Sequence, residues 1–135
     1  MTTLVDTSVL LDVLAQSSWR EWSEEHLERA ASEGDLAINQ VIYAEVAVGF
    51  ASQDRLERTL QGVGLVRLGL PWAASWLVAR AFLEYRRQGG PRTAPLPDFF
   101  IGAHAAAGGL RLLTRDPRRV RRYFPEVELL APECR

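Results

Sequence analysis

The sequence predicts an α/β domain in which a mostly parallel sheet of four or five strands is covered by helices on both faces. Two observations lead to this prediction: short apolar runs of strand length recur along the chain, and segments with helical periodicity lie between them. A third observation sets the number of domains. The 135 residues are enough for one hydrophobic core and too few for two comfortable ones, so residues 1–135 are expected to form a single domain.

Five runs have the length and apolar content of buried strands. In chain order they are residues 2–6 (TTLVD), 35–39 (DLAIN), 65–70 (LVRLGL), 110–114 (LRLLT) and 127–131 (VELLA). Because helical segments separate them, these strands are expected to lie mostly parallel to one another.

The first four predicted helices are residues 8–15, 17–34, 40–50 and 52–62. The first is expected to be capped near Thr7. Ser18 followed by Glu21 predicts a capping box for the second, which ends before Gly34. In the third, apolar residues recur every four positions on one face, and Gly62 ends the fourth.

The last three predicted helices are residues 71–88, 98–109 and 117–124. Pro71 suits the first position of a helix, and Gly89 stops the helix that it opens. Asp98 begins the next helix. Pro117 suits the first position of the last helix, where Asp116 is a candidate cap.

The composition is typical of a globular protein, with 47% hydrophobic residues, 24% charged residues and a net charge of −1. A nucleic-acid partner would therefore be met by local basic patches rather than by the overall charge. The single cysteine, Cys134, excludes an internal disulfide and a cysteine-based zinc site. The N-terminal segment lacks the basic region of a signal peptide, and no apolar run approaches membrane-spanning length. A cytoplasmic protein with no membrane association is expected.

Four acids have apolar neighbours that surface acids usually lack. Asp6 and Asp116 follow predicted strands, so in a parallel sheet both lie at the edge where ligand sites form. Asp98 opens an apolar helix, and Glu45 is the only charge in the run VIYAEVAVGF. Helix capping is the alternative explanation for the three aspartates, whereas a mid-helix Glu45 needs a partner or an outlet to water.

If these four acids converge, their repulsion requires a cation. Two carboxylates about 4 Å apart repel by roughly 4 kcal/mol at an effective dielectric constant near 20. All four are hard oxygen ligands, which favours Mg²⁺ or Mn²⁺ over zinc. Metals held in this way typically meet phosphate oxygens, so the pattern indicates phosphodiester hydrolysis.

Four stretches of the sequence together resemble a PIN-domain ribonuclease, and in particular the VapC-type toxins of toxin–antitoxin pairs. They are LVDTSVLLDVL, INQVIYAEVAVGF, PDFFIGAHAAAGGLRLLTRD and FPEVELLAPE. The likeness runs from Thr3 to about Glu133 in the family's order and spacing, whereas residues 62–95 carry little of it. Each motif alone is weak, but four in order in so short a chain are specific.

The resemblance implies a PIN-like three-layer α/β/α fold and an Mg²⁺-dependent endoribonuclease that is inhibited by a cognate antitoxin protein. The residues that match the family's acidic positions are Asp6, Glu45, Asp98 and Asp116. By that resemblance the three aspartates hold metal and Glu45 completes the acidic cluster. Thr114 and Ser8 match the family's polar positions and would orient carboxylates or water. The family commonly forms homodimers.

Five arginines lie between Arg115 and Arg122, close to the predicted acidic edge. Arg115, Arg118 and Arg119, with Arg92 in the Pro/Gly-rich loop, are candidate RNA-binding residues, and a solvated helix face is the alternative. His104 is expected to be a core histidine rather than a site residue.

Four tryptophans lie at helical spacing on two helices: Trp19, Trp22, Trp72 and Trp76. Core packing is the default interpretation of these rings, and a protein interface is the alternative. So much aromatic surface on two helices motivates the prediction of a homodimer.

Two other functions remain open at this stage. One is a PIN-type nuclease for RNA maturation or structured DNA that has no antitoxin. The other is a PIN scaffold that binds RNA or protein without cleaving it, although an unused acidic cluster would cost stability.

Overall fold

The computed structural model describes residues 1–15, 17–91 and 96–132, and within these ranges one or two helices separate each strand from the next. The strands are β1 (Thr3–Val5), β2 (Leu36–Ile38), β3 (Val66–Arg67), β4 (Arg111–Leu113) and β5 (Leu129–Leu130). The helices are α1 (Thr7–Leu14), α2 (Arg20–Glu33), α3 (Gln40–Ala47), α4 (Gln53–Val63), α5 (Trp72–Arg87), α6 (Pro97–Gly108) and α7 (Arg118–Tyr123).

The five strands form one sheet in the order β3-β2-β1-β4-β5, and every neighbouring pair is parallel. The predicted α/β class is therefore confirmed, and the sheet is parallel throughout. The chain starts at the central strand β1, moves outward through β2 and β3, and then crosses to β4 on the other side of β1. The direction of the strand order reverses between β1 and β4, and ligand sites in open parallel sheets form outside such a reversal.

The three central strands β1, β2 and β4 are buried at every residue. Apart from Thr3 and Arg111 their residues are apolar, as expected of strands in a sheet that helices cover on both faces. The helices pack on one another as well: α5 lies against α6, α1 against α2 and α3, and α6 against α7. Phe99 of α6 is the largest fully buried side chain, so α6 is central to the core.

Local hydrogen bonds explain where several helices begin and end. The Asn39 side chain accepts a hydrogen bond from the backbone N–H of Ile42 at 3.0 Å, which caps α3. The predicted capping box at Ser18 is wrong, because α2 begins after Trp19 without a side-chain cap. The fourth helix runs past Gly62 to Val63, and Gly64 follows it with the left-handed φ of 77° that favours glycine.

Core packing is the wrong interpretation for two of the tryptophans. Trp72 is 90% exposed and Trp76 is 64% exposed, both on α5. The guanidinium of Arg80 lies 4.6 Å from the centre of the Trp76 ring. On α2, Trp22 is half-buried and stacks on His26. The exposed face of α5 is therefore an aromatic surface rather than a part of the core.

Among the described residues, none of the helices has the length and apolar character needed to cross a bilayer.

Candidate active site

Asp6 lies at the carboxyl end of β1, where the strand order reverses. It occupies the N-cap position of α1, but its side chain makes no capping hydrogen bond. Instead, two hydroxyl groups donate to its Oδ2 atom, Ser8 Oγ at 3.1 Å and Thr114 Oγ1 at 2.7 Å. Helix capping is therefore not the role of Asp6. Its carboxylate is held by the two polar residues that the sequence resemblance singles out.

The electrostatic environment of Asp6 is unfavourable for a bare carboxylate. Burial raises the pKa of Asp6, and this effect outweighs the hydrogen bonds from Thr114 and Ser8, which lower it. The negative charge of Glu45 raises the pKa of Asp6 further. Within the described ranges Asp6 forms no ion pair with an arginine, in contrast to Asp98 and Asp116. A cation at this position would offset both the desolvation cost of the Asp6 carboxylate and its repulsion by Glu45.

Glu45 approaches the site from α3. It is half-buried, and its Oε1 atom accepts a hydrogen bond of 2.6 Å from the hydroxyl of Thr7, the residue after Asp6. The predicted need of this mid-helix acid for a partner is thus met by a neutral hydroxyl. Because Thr7 adjoins Asp6, this contact brings the charge of Glu45 close to the Asp6 carboxylate.

Asp116 is connected to Asp6 through Thr114, which is buried. The Thr114 hydroxyl donates to Asp6 and accepts a hydrogen bond of 3.1 Å from the backbone N–H of Asp116. The Asp116 side chain is exposed and pairs with Arg118 at 3.0 and 3.2 Å. The hydrogen bond and charge of Arg118 hold the pKa of Asp116 below its usual value. Asp116 does not cap α7, which begins after Pro117 without a side-chain cap.

Asp98 lies in the first turn of α6 but is not its N-cap, a position that Leu96 occupies. Both of its carboxylate oxygens accept from Nη1 of Arg119, at 3.2 and 3.0 Å. The Arg119 guanidinium is also 5.5 Å from the ring centres of Tyr85 and Phe99, so aromatic side chains fix its direction. The capping interpretation of Asp98 is therefore wrong.

Asp98 and Asp116 open into one cavity of about 420 Å³. Its lining combines the two acids with three arginines and two tyrosines: Asp98, Asp116, Arg118, Arg119, Arg122, Tyr85 and Tyr123. In residues 1–15, 17–91 and 96–132, no three His, Cys, Asp or Glu side chains stand together as a ready metal site. In this arrangement two of the four predicted acids face arginines, while Asp6 and Glu45 interact with hydroxyl groups.

Comparison with known families decides what kind of domain carries this site. The family model described as the PIN domain matches residues 3–125. The chain belongs to the PIN domain family. No curated protein matches the sequence of this PIN domain significantly.

Solved structures agree with the assignment of this PIN domain. It is similar to VapBC2 from Rickettsia felis bound to a promoter DNA fragment, with 17% identity, a TM-score of 0.76 and coverage of 98% of this chain and 100% of that one. VapBC-1 from nontypeable Haemophilus influenzae is 16% identical, with a TM-score of 0.74 and coverage of 97% of this chain and 98% of that one. A toxin–antitoxin complex from Klebsiella pneumoniae gives 25% identity, a TM-score of 0.68 and coverage of 93% and 94%.

The predicted RNA-binding arginines of the PIN domain differ in their placement. Arg118 and Arg119 line the cavity beside the acids. Arg115 instead turns its Nε atom to Asp12, at 2.8 Å, and is 35% exposed. Arg92 lies outside the described residues. Of the four predicted RNA-binding arginines, two therefore lie beside Asp98 and Asp116, whereas Arg115 pairs with a buried acid.

Two buried polar residues of the PIN domain lie outside the predicted site, and one of them, Asp12, was not singled out in the sequence. Asp12 is 2% exposed. It lies six residues after Asp6 in the same apolar run, and a charge among the apolar residues of LLDVL was the signal in the sequence that could have revealed it. His104 is buried, as expected of a core histidine, and its Nδ1 atom lies 3.0 Å from Nδ2 of Asn39. Because Oδ1 of Asn39 accepts from Ile42, Nδ2 faces His104 as a donor, so Nδ1 is the acceptor.

Proposed function

We propose that this PIN domain is an Mg²⁺-dependent endoribonuclease that acts as the toxin of a toxin–antitoxin pair in the cytoplasm. The observation that carries the proposal is the Asp6 carboxylate. It is held by Thr114 and Ser8 at the reversal of the strand order, beside Glu45, and within the described residues no arginine neutralises it. Such a group favours a bound cation.

The chemistry of the donors, all of them carboxylate oxygens, fits a hard divalent cation. Asp6, Asp98 and Asp116 would hold Mg²⁺ or Mn²⁺, and Glu45 would complete the negative charge around it. When bound, such a metal activates water and stabilises the charge that develops on phosphate oxygens during hydrolysis. Thr114 and Ser8 keep the Asp6 carboxylate in one orientation by their hydrogen bonds to its Oδ2 atom.

RNA is the proposed substrate: the arginines that share the cavity with the acids support a nucleic-acid backbone as the ligand, and the resemblance to PIN-domain ribonucleases favours RNA. Arg118 and Arg119 pair with Asp116 and Asp98 and line the same cavity, so they would be available to phosphates of a bound strand. Guanidinium groups bind phosphates in a bidentate manner, and their side chains can exchange a carboxylate for a phosphate without leaving the cavity.

An antitoxin is the proposed protein partner. The three similar structures named above are toxin–antitoxin or VapBC complexes. The ion pairs of Asp98 and Asp116 support the view that these acids accept guanidinium groups, so an Arg or Lys from an antitoxin would have suitable partners here. Co-expression with the cognate antitoxin, expected to be encoded by a small gene beside this one, should relieve growth arrest and yield a stable complex. A protein that is harmless when expressed alone would contradict the toxin role.

A homodimer is the proposed oligomeric state. The exposed face of α5 carries Trp72, Trp76 and Leu83, which are 90%, 64% and 45% exposed. Aromatic residues at such positions are typical of protein interfaces. Light scattering at micromolar concentration is expected to give the mass of two chains for the wild type and of one chain for Trp76→Glu. A monomeric wild type would contradict this proposal.

Digestion of total RNA with and without Mg²⁺, followed by mapping of the cut sites, tests the proposed activity. We expect discrete internal cuts that require the metal. The matched pair of variants is Asp98→Asn and Asp54→Asn, since both acids lie in the first turn of a helix but Asp54 is on the exposed face of α4. Cleavage should be lost only in Asp98→Asn. Binding of RNA without any cleavage would favour the non-cleaving scaffold.

A further inference from the structure

Asp12 is a buried acid in the last turn of α1. It is 2% exposed, and three side chains donate to its carboxylate: Ser17 Oγ, Ser23 Oγ and Arg115 Nε, each at 2.8 Å. A buried carboxylate is tolerated only when it is paired and hydrogen-bonded, and these three contacts meet that requirement. Two of the donors are local, but Arg115 comes from the far end of the chain, 103 residues away.

Arg115 links Asp12 to the acidic site. It stands between Thr114, which donates to Asp6, and Asp116. Its own backbone N–H donates to Ser8 Oγ at 3.2 Å, and Ser8 Oγ in turn donates to Asp6. The segment from Thr114 to Asp116 is therefore attached to α1 at both its backbone and its side chain.

The aromatic ring of Trp19 also lies beside Arg115. The Arg115 guanidinium carbon lies 5.6 Å from the centre of the ring, and the Nε atom points to Asp12. A guanidinium fixed by a buried carboxylate and an aromatic face loses most of its rotational freedom. Its position then determines where the backbone of the adjoining residue, Asp116, can lie.

We propose that Asp12 is a positioning residue, which acts through Arg115 to fix the exit of β4 so that Thr114 and Asp116 meet Asp6. The proposal rests on the nuclease function proposed above. It gives Arg115 a different role from the RNA contact that the sequence predicts, because its guanidinium is directed into the protein. Outer residues that orient metal ligands typically change activity or metal affinity by about 10- to 100-fold when they are replaced.

The test compares Arg115→Met, which removes the charge but keeps an unbranched chain, with Arg115→Lys, which keeps the charge. For cleavage of a defined RNA in saturating Mg²⁺, we expect Arg115→Met to lower kcat by about 10- to 100-fold with little change in KM. Arg115→Lys should recover at least part of the loss. An RNA contact predicts the opposite result, a raised KM with weaker salt dependence and an unchanged kcat, and this result would overturn the proposal.

Amide hydrogen exchange supplies a measurement that does not depend on activity. Exchange in the segment from Thr114 to Asp116 should become faster in Arg115→Met, because the segment loses its attachment to α1. If exchange there stays as slow as in the wild type, the proposal is wrong. If the wild type cleaves no RNA, the nuclease function fails, while faster exchange in the variant would still support the attachment of this segment by Asp12 and Arg115.

Asp12→Asn tests the carboxylate itself. Asn keeps the size of the side chain but loses the charge that fixes Arg115, so the same fall in kcat and the same faster exchange are expected. Glu24→Gln is the matched control, because Glu24 pairs with Arg20 on the exposed face of α2 and its loss should leave both readouts unchanged. If Asp12→Asn does not fold, Arg115→Met decides alone, since Arg115 is 35% exposed and its replacement leaves a smaller defect.

Discussion

Replacing Asp98 by Asn separates a metal ligand from a merely structural acid. In the free protein Asp98 pairs with Arg119, and the two side chains are 45% and 36% exposed. Ion pairs that are exposed to this degree contribute about 0.2–1 kcal/mol, because solvent screens them. We therefore expect Asp98→Asn to lower the free energy of unfolding by less than about 1 kcal/mol and Tm by no more than roughly 4 °C. If Asp98 had no arginine partner, its replacement would only relieve repulsion between acids, and a small gain in the free energy of unfolding would be expected instead.

The effect on metal and on cleavage should be much larger than the effect on stability. Asn offers a neutral amide where the metal needs a charged hard oxygen. The rise in Tm that Mg²⁺ gives the wild type is expected to disappear in Asp98→Asn. Cleavage should fall by more than about 100-fold, beyond the range typical of residues that only orient metal ligands.

The assay combines cleavage of a defined RNA with melting curves recorded with and without Mg²⁺. Asp54→Asn serves as the control, since it changes an exposed acid at the corresponding turn of α4. A folded Asp98→Asn protein that Mg²⁺ still stabilises and that remains fully active would refute the assignment of Asp98 as a metal ligand.

Three further changes test the core and the site. Burial lowers the pKa of His104, so the stability contributed by its neutral imidazole is present above pH 6.5 and is lost as the pH falls below that value. Urea unfolding at a series of pH values should show this loss of stability in the wild type relative to His104→Gln. Gly102→Ala would place a Cβ atom 2.7 Å from Cδ2 of Phe124, and calorimetry should give a loss of about 1–3 kcal/mol, whereas Gly62→Ala, with no atom within 4 Å, should not destabilise. Asp6→Asn keeps an oxygen for both hydroxyl donors, so the fold should persist while the Mg²⁺-dependent rise in Tm is lost.

The sequence predicted the elements and their class because each strand and helix carries its own periodicity. All five strands and seven helices of the described residues fall within or beside the predicted segments. The ends were less accurate: the strand predicted for residues 65–70 is only Val66–Arg67, and the helix predicted for residues 40–50 ends at Ala47. Element ends depend on tertiary contacts and caps, which local patterns describe poorly.

The location of the acidic residues at the sheet edge could also be predicted, for a topological reason. Asp6 follows β1 and Asp116 follows β4, and the carboxyl ends of neighbouring parallel strands meet at one edge. The partners of these acids could not be predicted. Arg119 pairs with Asp98 because α7 packs on α6, and nothing in either segment alone specifies that contact.

The sequence by itself determined the parallel α/β architecture, the family resemblance and the set of acids, since these depend on local periodicity and on residue types in order. Tertiary structure alone decided which charges are buried or paired and which rings face solvent. Asp12 meets Arg115 and Asp6 meets Thr114 across 103 and 108 residues, and Trp72 faces outward on a helix whose periodicity would equally suit burial. The physical reason is that burial and pairing are properties of the packed chain, in which residues distant in sequence share one low-dielectric environment.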